Sequence, residues 1–361
     1  MTSRPRRWLA HATPSARLVD WTLLALVTFL VGSGLVSLTV GEPSGAVLFW
    51  AHGIAGLVLV FAVSSKLWRV RRRVTERRLR TPATWLSLAL AAVTVASLAT
   101  GIFWVVGGDF RVLYWGALNV HIFFGLLLVP LFLAHLWTRR TLPGFRRPRR
   151  SDVDGRRDVL RYTGLLVGGA LLWRGQQLVN QMFETAGATR RFTGSKPVDG
   201  PEFPVTSWVA DDPDPVDRET WRLRVEGLVA DELELAAEDL DTESELRALL
   251  DCTSGWYTVQ DWQGIRVGDL LDEAGVDERG QWVRFRSVTG YRWSLPLAEA
   301  RDALLATHVA GDRLSHGHGA PLRLVAPGRR GFQWVKWVES VEVRDRRDPG
   351  QWLVTLISGF D

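Results

Sequence analysis

The sequence predicts an α-helical transmembrane bundle of four or five spans followed by an α+β domain. Residues 16–178 consist largely of long apolar runs, whereas residues 188–361 alternate short apolar and polar stretches in the manner of strands and turns. The near-zero mean hydropathy of +0.02 averages these two halves. We expect residues 1–150 to form the bundle, 151–187 a basic linker with a fifth anchor, and 188–361 the α+β domain.

Four apolar runs are long enough to cross a bilayer, which takes about 20 residues of helix. They cover residues 21–40, 47–68, 84–106 and 113–137. A fifth apolar stretch, 162–173, reaches that length only if it includes residues 176–179. In the second half we expect strands at 221–227, 282–288, 322–325 and 338–343, and helices at 238–250 and 266–274, the latter ended by Gly275.

Basic residues predict the orientation of the bundle. Arginines cluster at 69–80 and 139–161, and the loops after the first and third runs carry almost none. The positive-inside rule places the clusters in the cytoplasm, so a fifth crossing would put residues 188–361 on the extracytoplasmic side of the plasma membrane. The clusters flank apolar runs, which favours membrane anchoring over nucleic-acid binding, and no nucleic-acid partner is expected. Arg156 and Arg157 resemble an internal twin-arginine export signal, or simply add cytoplasmic charge.

Three histidines in the apolar runs predict haem binding. His52 and His121 lie at the outer ends of the second and fourth runs, a placement that suits two axial ligands of one b-type haem. Glycines at 53, 56, 116 and 125 would leave room for the macrocycle. The alternative is a structural hydrogen-bonding role, but ionisable residues in spans are costly and usually functional.

His135 follows His121 by 14 residues, about four helical turns, so both face one side of the helix. This spacing resembles membrane-embedded b-type cytochromes with two stacked haems. The matching position after His52 holds Lys66 rather than histidine. We therefore expect one haem b, and a second only if His135 finds another partner. His135 could instead lie near a quinone or at the cytoplasmic face.

Cys252 is the only cysteine among the 361 residues, so it forms no internal disulfide. Thr253, Ser254 and Gly255 follow it and predict a polar turn. A lone cysteine is often a small buried apolar residue. On a polar turn, its thiolate is also a good ligand for a metal.

The stretch around Cys252 resembles the oxidoreductase molybdopterin-binding domain of the sulfite oxidase superfamily. The resemblance covers roughly residues 188–350 and includes the runs WQGIRVGDLL at 262–271 and APGRRGFQWVKW at 326–337, with opening strands at 203–208 and 221–227. It implies a sulfite oxidase-type molybdopterin-binding fold for residues 188–361. It also implies that Cys252 is the protein ligand to molybdenum and that the activity is oxygen-atom transfer.

The resemblance implies further site residues. Tyr291 would be an active-site tyrosine, and the cofactor would contact Arg191, Phe192, Thr193, Thr253, His318, Arg323, Arg329 and Lys336. For each cation the alternative is a solvated surface charge. No segment is long enough for the extra dimerisation domain of sulfite oxidases, which favours shorter relatives of the periplasmic methionine sulfoxide reductase type and is compatible with a monomer.

The function expected from these features is reduction of a small sulfoxide-like substrate, with electrons passing from the quinone pool through membrane haem. Two alternatives stay open. One is a sulfite-type oxidation that passes electrons to the membrane. The other is a membrane-tethered binding module without catalysis, which would have no need of a unique thiol at this turn.

Overall fold

The computed structural model describes residues 16–76, 78, 81–113, 115–140, 156–207, 211–240 and 244–357. The chain divides into two compact units. The first comprises Met1–Leu38 and Pro43–Lys196, and the second comprises Thr39–Glu42 and Pro197–Asp361. The predicted combination of N-terminal apolar helices and a C-terminal α+β domain is confirmed.

Five helices make up the described part of the first unit: α1 (Ala16–Ser37), α2 (Ala46–Thr75), α3 (Pro82–Val105), α4 (Ala117–Arg140) and α5 (Arg156–Met182). A 3-10 turn, Pro43–Gly45, precedes α2. Helices α1 to α4 are long and apolar enough to cross a membrane. The fourth run was predicted to begin at residue 113, but α4 begins at Ala117. Two short strands, β1 (Arg111–Val112) and β2 (Trp115–Gly116), precede α4, and Leu113 between them is left-handed with φ 56°.

Helix α5 runs the length of this bundle, although its composition is not that of a long apolar span. The Tyr162 hydroxyl lies 2.7 Å from Thr22 Oγ1 near the start of α1. Asn180 Nδ2, near the other end of α5, donates to Val105 O at the end of α3 (2.9 Å). Because α1 and α3 are both antiparallel to α2, these two contacts mark opposite ends of the bundle.

The segment after α5 stays with the first unit. Arg190 donates to Val105 O (3.2 Å), and Lys196 donates to Gly107 O (3.1 Å) while its ammonium lies 3.7 Å from the ring centroid of Trp104. These cations satisfy carbonyls that the end of α3 leaves without helical partners. Desolvation lowers the pKa of both Arg190 and Lys196.

The second unit contains two sheets. The five-stranded sheet has the order β5 (Leu233–Ala236), β4 (Arg222–Gly227), β13 (Val338–Arg344), β8 (Trp282–Ser287) and β9 (Arg292–Pro296), in which only β4 and β13 are parallel. The other sheet has the path β11 (Asp312–Arg313), β10 (Leu304–Val309), β7 (Trp256–Arg266) and β3 (Lys196–Pro197). Strand β12 (Arg323–Val325) pairs with β10, and β6 (Ser244–Asp251) pairs with β7.

Short helices and a tryptophan-rich core complete the second unit. The helices are α6 (Val267–Ala274), α7 (Leu297–Arg301) and α8 (Gln351–Ile357), with 3-10 turns at His316–His318 and Gly331–Gln333. The largest core side chains, none more than 2% exposed, are Trp262, Trp293, Trp334, Trp337 and Phe285. Gly264 lets β7 and β10 approach, because a Cβ there would lie 2.8 Å from Ala306 Cα.

The strands predicted at 221–227, 282–288, 322–325 and 338–343 and the helix ended by Gly275 are confirmed to within a residue or two. The opening strand expected at 203–208 is wrong for its described residues, 203–207, which form no strand. The helix predicted over 238–250 is wrong, because that region contains β6 instead. Its Glu, Leu and Ala residues favour helix locally. Pairing with β7 from Ser244 to Asp251 buries alternate side chains and overrides that preference.

Candidate functional site

Cys252 lies in the tight loop that joins β6 to β7. Its amide donates to Trp256 O (2.8 Å), and the Gly255 amide donates back to Cys252 O (3.1 Å). Gly255 has φ 103°, a conformation that favours glycine. The thiol is therefore held at the end of two long paired strands, and Cys252 is 7% exposed.

A buried ion pair ties this loop to the second motif. Asp251 Oδ1 lies 3.3 Å from Arg330 Nη1, and the two side chains are 2% and 4% exposed. Arg330 Nη2 also donates to Cys252 O (3.3 Å). A Cβ on Gly331 would lie 3.1 Å from Cys252 Cα, so glycine permits this approach. The fold thus joins two motifs that are far apart in the sequence. This ion pair was not predicted, although Asp251 and Arg330 each belong to one of the two motifs.

Arg323 is a buried cation close to the thiol. It is 4% exposed, and its Nη1 donates to His318 O (3.0 Å). Its Nε has no hydrogen-bond partner, and no carboxylate pairs with it in the described part of the chain. Burial lowers its pKa to about 10, against the opposing effect of the Cys252 thiolate. A buried cation without a counter-ion is destabilising, so this position suits an anion.

Lys336 is the second cation of the cluster. Its Nζ donates to Thr206 O (2.9 Å), Ser207 Oγ (2.9 Å) and Gly317 O (2.6 Å). Burial and the charge of Arg323 lower its pKa to about 7, while the Cys252 thiolate opposes that shift. Lys336 and Arg323 therefore make the surroundings of the thiol electropositive.

His318 links its own turn to the segment around Phe203. Its Nε2 donates to Phe203 O (3.0 Å), its Nδ1 accepts from Ser315 Oγ (2.9 Å), and its ring lies 4.2 Å from that of Phe203. Desolvation lowers its pKa, so the ring is neutral at pH 7. The structure uses both ring nitrogens to hold protein segments, which sequence reasoning did not foresee.

Arg329 and Tyr291 also bind groups of the protein. The Arg329 guanidinium forms a two-point ion pair with Glu299, which raises its pKa. The Tyr291 hydroxyl donates to Phe332 O (2.5 Å) in the second motif, and Tyr291 is buried. Contact between Arg329 and a cofactor phosphate would require the phosphate to compete with Glu299.

The remaining predicted contacts fall in different places. Thr253 follows Cys252 in the loop and is partly buried. Arg191, Phe192 and Thr193 belong to the first unit, where they form a turn closed by the Arg191 amide and Ser195 O (2.8 Å). The Phe192 ring packs edge-on against Phe49, with centroids 5.5 Å apart.

The residues around Cys252 fit a molybdenum–pterin cofactor. A thiolate is a ligand that soft metals accept. The buried Arg323 guanidinium has an unused donor, and Lys336 carries an ammonium, so both suit the anionic phosphate of a pterin. The donor set therefore combines one metal ligand with two anion-binding groups.

In the first unit, His52 and His121 face each other. Their ring centroids are 6.3 Å apart and their planes are nearly perpendicular, at 85°. His121 Nδ1 donates to Ser97 O (2.8 Å). His52 Nδ1 contacts Ser33 Oγ (2.8 Å), which also lies 3.2 Å from Leu30 O. Each ring thus holds a protein group through Nδ1, and Nε2 is the nitrogen that would bind a metal, the arrangement usual for metal-ligating histidines.

The separation of the two imidazoles matches two ligands of one metal. A metal–imidazole bond is about 2 Å long, so two imidazoles on opposite sides of one metal have centroids roughly 6 Å apart. Gly56 and Gly125 follow His52 and His121 by one turn, and an added Cβ at either would meet nothing within 4 Å. Of the other glycines noted in the sequence, Gly53 packs against Trp173 of α5, and a Cβ on Gly116 would meet Asn119 at 3.6 Å.

The described residues around His135 are arranged differently. Its Nδ1 lies 3.4 Å from Ser87 Oγ on α3. Among the ring contacts of the described residues, no second imidazole meets it. Lys66, at the position where a second histidine would be needed, forms an ion pair with Asp20 of α1.

Comparison with known proteins identifies the second unit. Residues 210–352, which include both motifs, match the oxidoreductase molybdopterin binding domain. The uncharacterized oxidoreductase YuiH of Bacillus subtilis is 33% identical over 141 residues, or 38% of this chain and 71% of YuiH. The chain belongs to this family of molybdopterin-binding oxidoreductases. The predicted domain and the enzyme class are thereby confirmed.

Two further relatives of this molybdopterin-binding oxidoreductase are named for sulfoxide chemistry. The protein-methionine-sulfoxide reductase catalytic subunit MsrP of Gluconobacter oxydans is 30% identical over 154 residues, which cover 37% of this chain and 49% of MsrP. YedZ1 of Azospira oryzae, named as a proposed subunit of such a reductase, is 26% identical over 155 residues, or 42% of this chain and 59% of YedZ1. The chain thus spans 71% of YuiH but only about half of MsrP.

Proposed function

We propose that the protein is a membrane-bound molybdenum enzyme that reduces a small sulfoxide-like substrate with electrons from quinol. The observation that carries this proposal is the buried Arg323, a cation that no carboxylate of the described residues meets, beside the only thiol of the chain. An anionic cofactor would supply the missing charge, and Cys252 the metal ligand. The names of MsrP and YedZ1 as sulfoxide reductase components favour sulfoxide reduction over sulfite oxidation.

Each residue has a defined task in this proposal. Cys252 would hold molybdenum as a thiolate, and Arg323 and Lys336 would bind the pterin phosphate. The ion pair of Asp251 and Arg330 fixes the loop that carries the thiol. When bound, the cofactor supplies oxygen-atom transfer: the S–O bond of a sulfoxide breaks, two electrons and two protons are consumed, and a sulfide and water are released.

Replacing the thiol tests the molybdenum proposal. Cys252→Ser in the full-length protein should abolish sulfoxide reduction with an artificial soluble electron donor and remove the absorption band from the protein thiolate to the metal, because the hydroxyl is a poor ligand for this metal. Molybdenum content by mass spectrometry and circular dichroism would show whether metal and fold remain. Wild-type turnover with a wild-type molybdenum spectrum would contradict the proposal. The same assay run with sulfite as reductant tests the oxidative alternative.

We further propose that His52 and His121 bind one haem b between the quinone pool and the molybdenum site. The facing rings, the available Nε2 atoms and the open space at Gly56 and Gly125 support this. His52→Ala and His121→Ala should each remove the same haem absorption and stop quinol-driven turnover. Turnover with a soluble donor should continue, since that route bypasses the membrane.

Two histidine variants act as controls for the haem proposal. His308→Ala, on β10, should keep the full haem spectrum. His135→Ala should keep it too if only one haem is bound, whereas loss of a distinct second component would add a haem at His135. Unchanged haem in both His52→Ala and His121→Ala would leave the bundle as an anchor only.

We also propose that the second unit lies outside the cytoplasm. The arginine clusters favour cytoplasmic loops at 69–80 and 139–161. Helix α5 extends along the whole bundle, which supports a fifth crossing. A reporter that is active only in the cytoplasm, fused after the last residue, should be silent. A strong signal would reverse this orientation.

A further inference from the structure

A chain of hydrogen-bonding groups leads to the sulfur of Cys252. Trp256 Nε1 donates to Thr206 Oγ1 (3.3 Å), Thr206 Oγ1 lies 3.5 Å from Ser254 Oγ, and Ser254 Oγ lies 3.0 Å from Cys252 Sγ. An indole N–H can only donate. Trp256 is therefore the donor to Thr206, and a metal-bound thiolate carries no proton, so the Ser254 hydroxyl is the donor in its contact with the sulfur when the metal is bound.

The backbone holds this chain in place. Ser254 lies in the four-residue loop closed by the Cys252 amide and Trp256 O, with left-handed Gly255 next to it. Thr206 is held from the other side, because Lys336 Nζ donates to its carbonyl oxygen (2.9 Å). The Ser254 hydroxyl is thus positioned by two separate elements of the second unit.

A hydrogen bond to a metal-bound thiolate withdraws electron density from the sulfur and so stabilises the reduced metal. We propose that Ser254 is a positioning residue that donates to the Cys252 thiolate and raises the reduction potential of the molybdenum. This role rests on the proposed function, in which Cys252 binds the metal. A higher potential would favour acceptance of electrons from the membrane donor.

The test uses the full-length, cofactor-loaded protein in detergent. Molybdenum content is measured first, followed by redox titration of the Mo(V) paramagnetic signal and the position of the sulfur-to-metal absorption band. Ser254→Ala should keep its molybdenum, shift the band to lower energy, and hold up to about tenfold less reduced metal at a given potential, which is 59 mV for a one-electron couple.

Three further variants isolate the hydroxyl. Ser254→Thr keeps a hydroxyl and should restore the wild-type potential. Thr206→Val should give a smaller shift in the same direction, because Ser254 loses its contact with the Thr206 hydroxyl. Thr220→Ala is the matched control, since its hydroxyl bonds Asp217 in an exposed turn, and it should change neither readout.

The outcomes separate this inference from the proposed function. Wild-type protein without molybdenum would refute the proposed function and the role of Ser254 with it. A molybdenum-loaded Ser254→Ala protein with unchanged potential and band would refute only the role of Ser254. Loss of molybdenum in Ser254→Ala would assign the hydroxyl to cofactor retention and overturn the tuning role.

Discussion

The ion pair between Asp251 and Arg330 should make the Cys252 loop sensitive to one small change. Asp251→Asn keeps the shape of the side chain but removes its negative charge, which leaves the guanidinium buried without its carboxylate. The two side chains are only 2% and 4% exposed, so water and salt screen the pair little. Removing one partner of such a pair costs about 3–5 kcal/mol.

This cost predicts a large shift in melting temperature. In a unit of roughly 150–250 residues, each kcal/mol lowers Tm by about 2–4 °C, so we expect a drop of roughly 6–20 °C. Because Arg330 also donates to Cys252 O, the loosening should centre on the loop between β6 and β7. Thermal unfolding of the cofactor-loaded full-length protein measures the drop in Tm, and hydrogen exchange of residues 244–266 measures the loosening of the loop.

The same hairpin supplies a matched control. Asp261 pairs with Arg247 at 3.0 Å, but these side chains are 64% and 68% exposed. Asp261→Asn should therefore cost at most about 1 kcal/mol. Replacing both members of the buried pair, with Asp251→Leu and Arg330→Met, should recover much of the lost stability. Equal Tm values for Asp251→Asn and Asp261→Asn would refute the reasoning.

Three other residues give separate predictions. The pKa of Lys336 is about 7 in the folded protein, and an anionic cofactor should raise it, so cofactor binding takes up a proton above that pH. Molybdenum retention after dialysis should therefore weaken as pH rises from about 7 toward 10. In Lys336→Met, retention should be weaker and should not change with pH. Equal pH dependence of retention in the two proteins would contradict this prediction. Tyr291→Phe removes the hydroxyl that donates to Phe332 O and should cost about 1–3 kcal/mol in thermal unfolding, whereas an unchanged Tm would show that this bond contributes nothing. Gly264→Ala should destabilise the sheet by at least about 1–3 kcal/mol, because the new Cβ would lie 2.8 Å from Ala306 Cα; a normal yield with a normal Tm would count against it.

Local patterns in the sequence determined much of the architecture. The apolar runs predicted the four long helices because the length and composition of a span depend only on neighbouring residues. The turn after Cys252 followed from Gly255, and the end of α6 followed from Gly275, since both glycines are left-handed. The motifs around Cys252 and at 326–337 were sufficient to identify the molybdopterin-binding domain.

Tertiary contacts decided what local pattern left open. Strand β6 has residues that favour a helix, and only its pairing with β7 makes it a strand. The sequence ranked Arg323 and Arg329 alike, yet Glu299 binds Arg329 and no carboxylate meets Arg323 in the described part of the chain. His52 faces His121 and Asp251 pairs with Arg330, although the two residues of each pair are about 70–80 positions apart in the sequence. The electrostatic character of a side chain depends on which charges the fold brings within a few ångströms, and a linear pattern does not encode that distance.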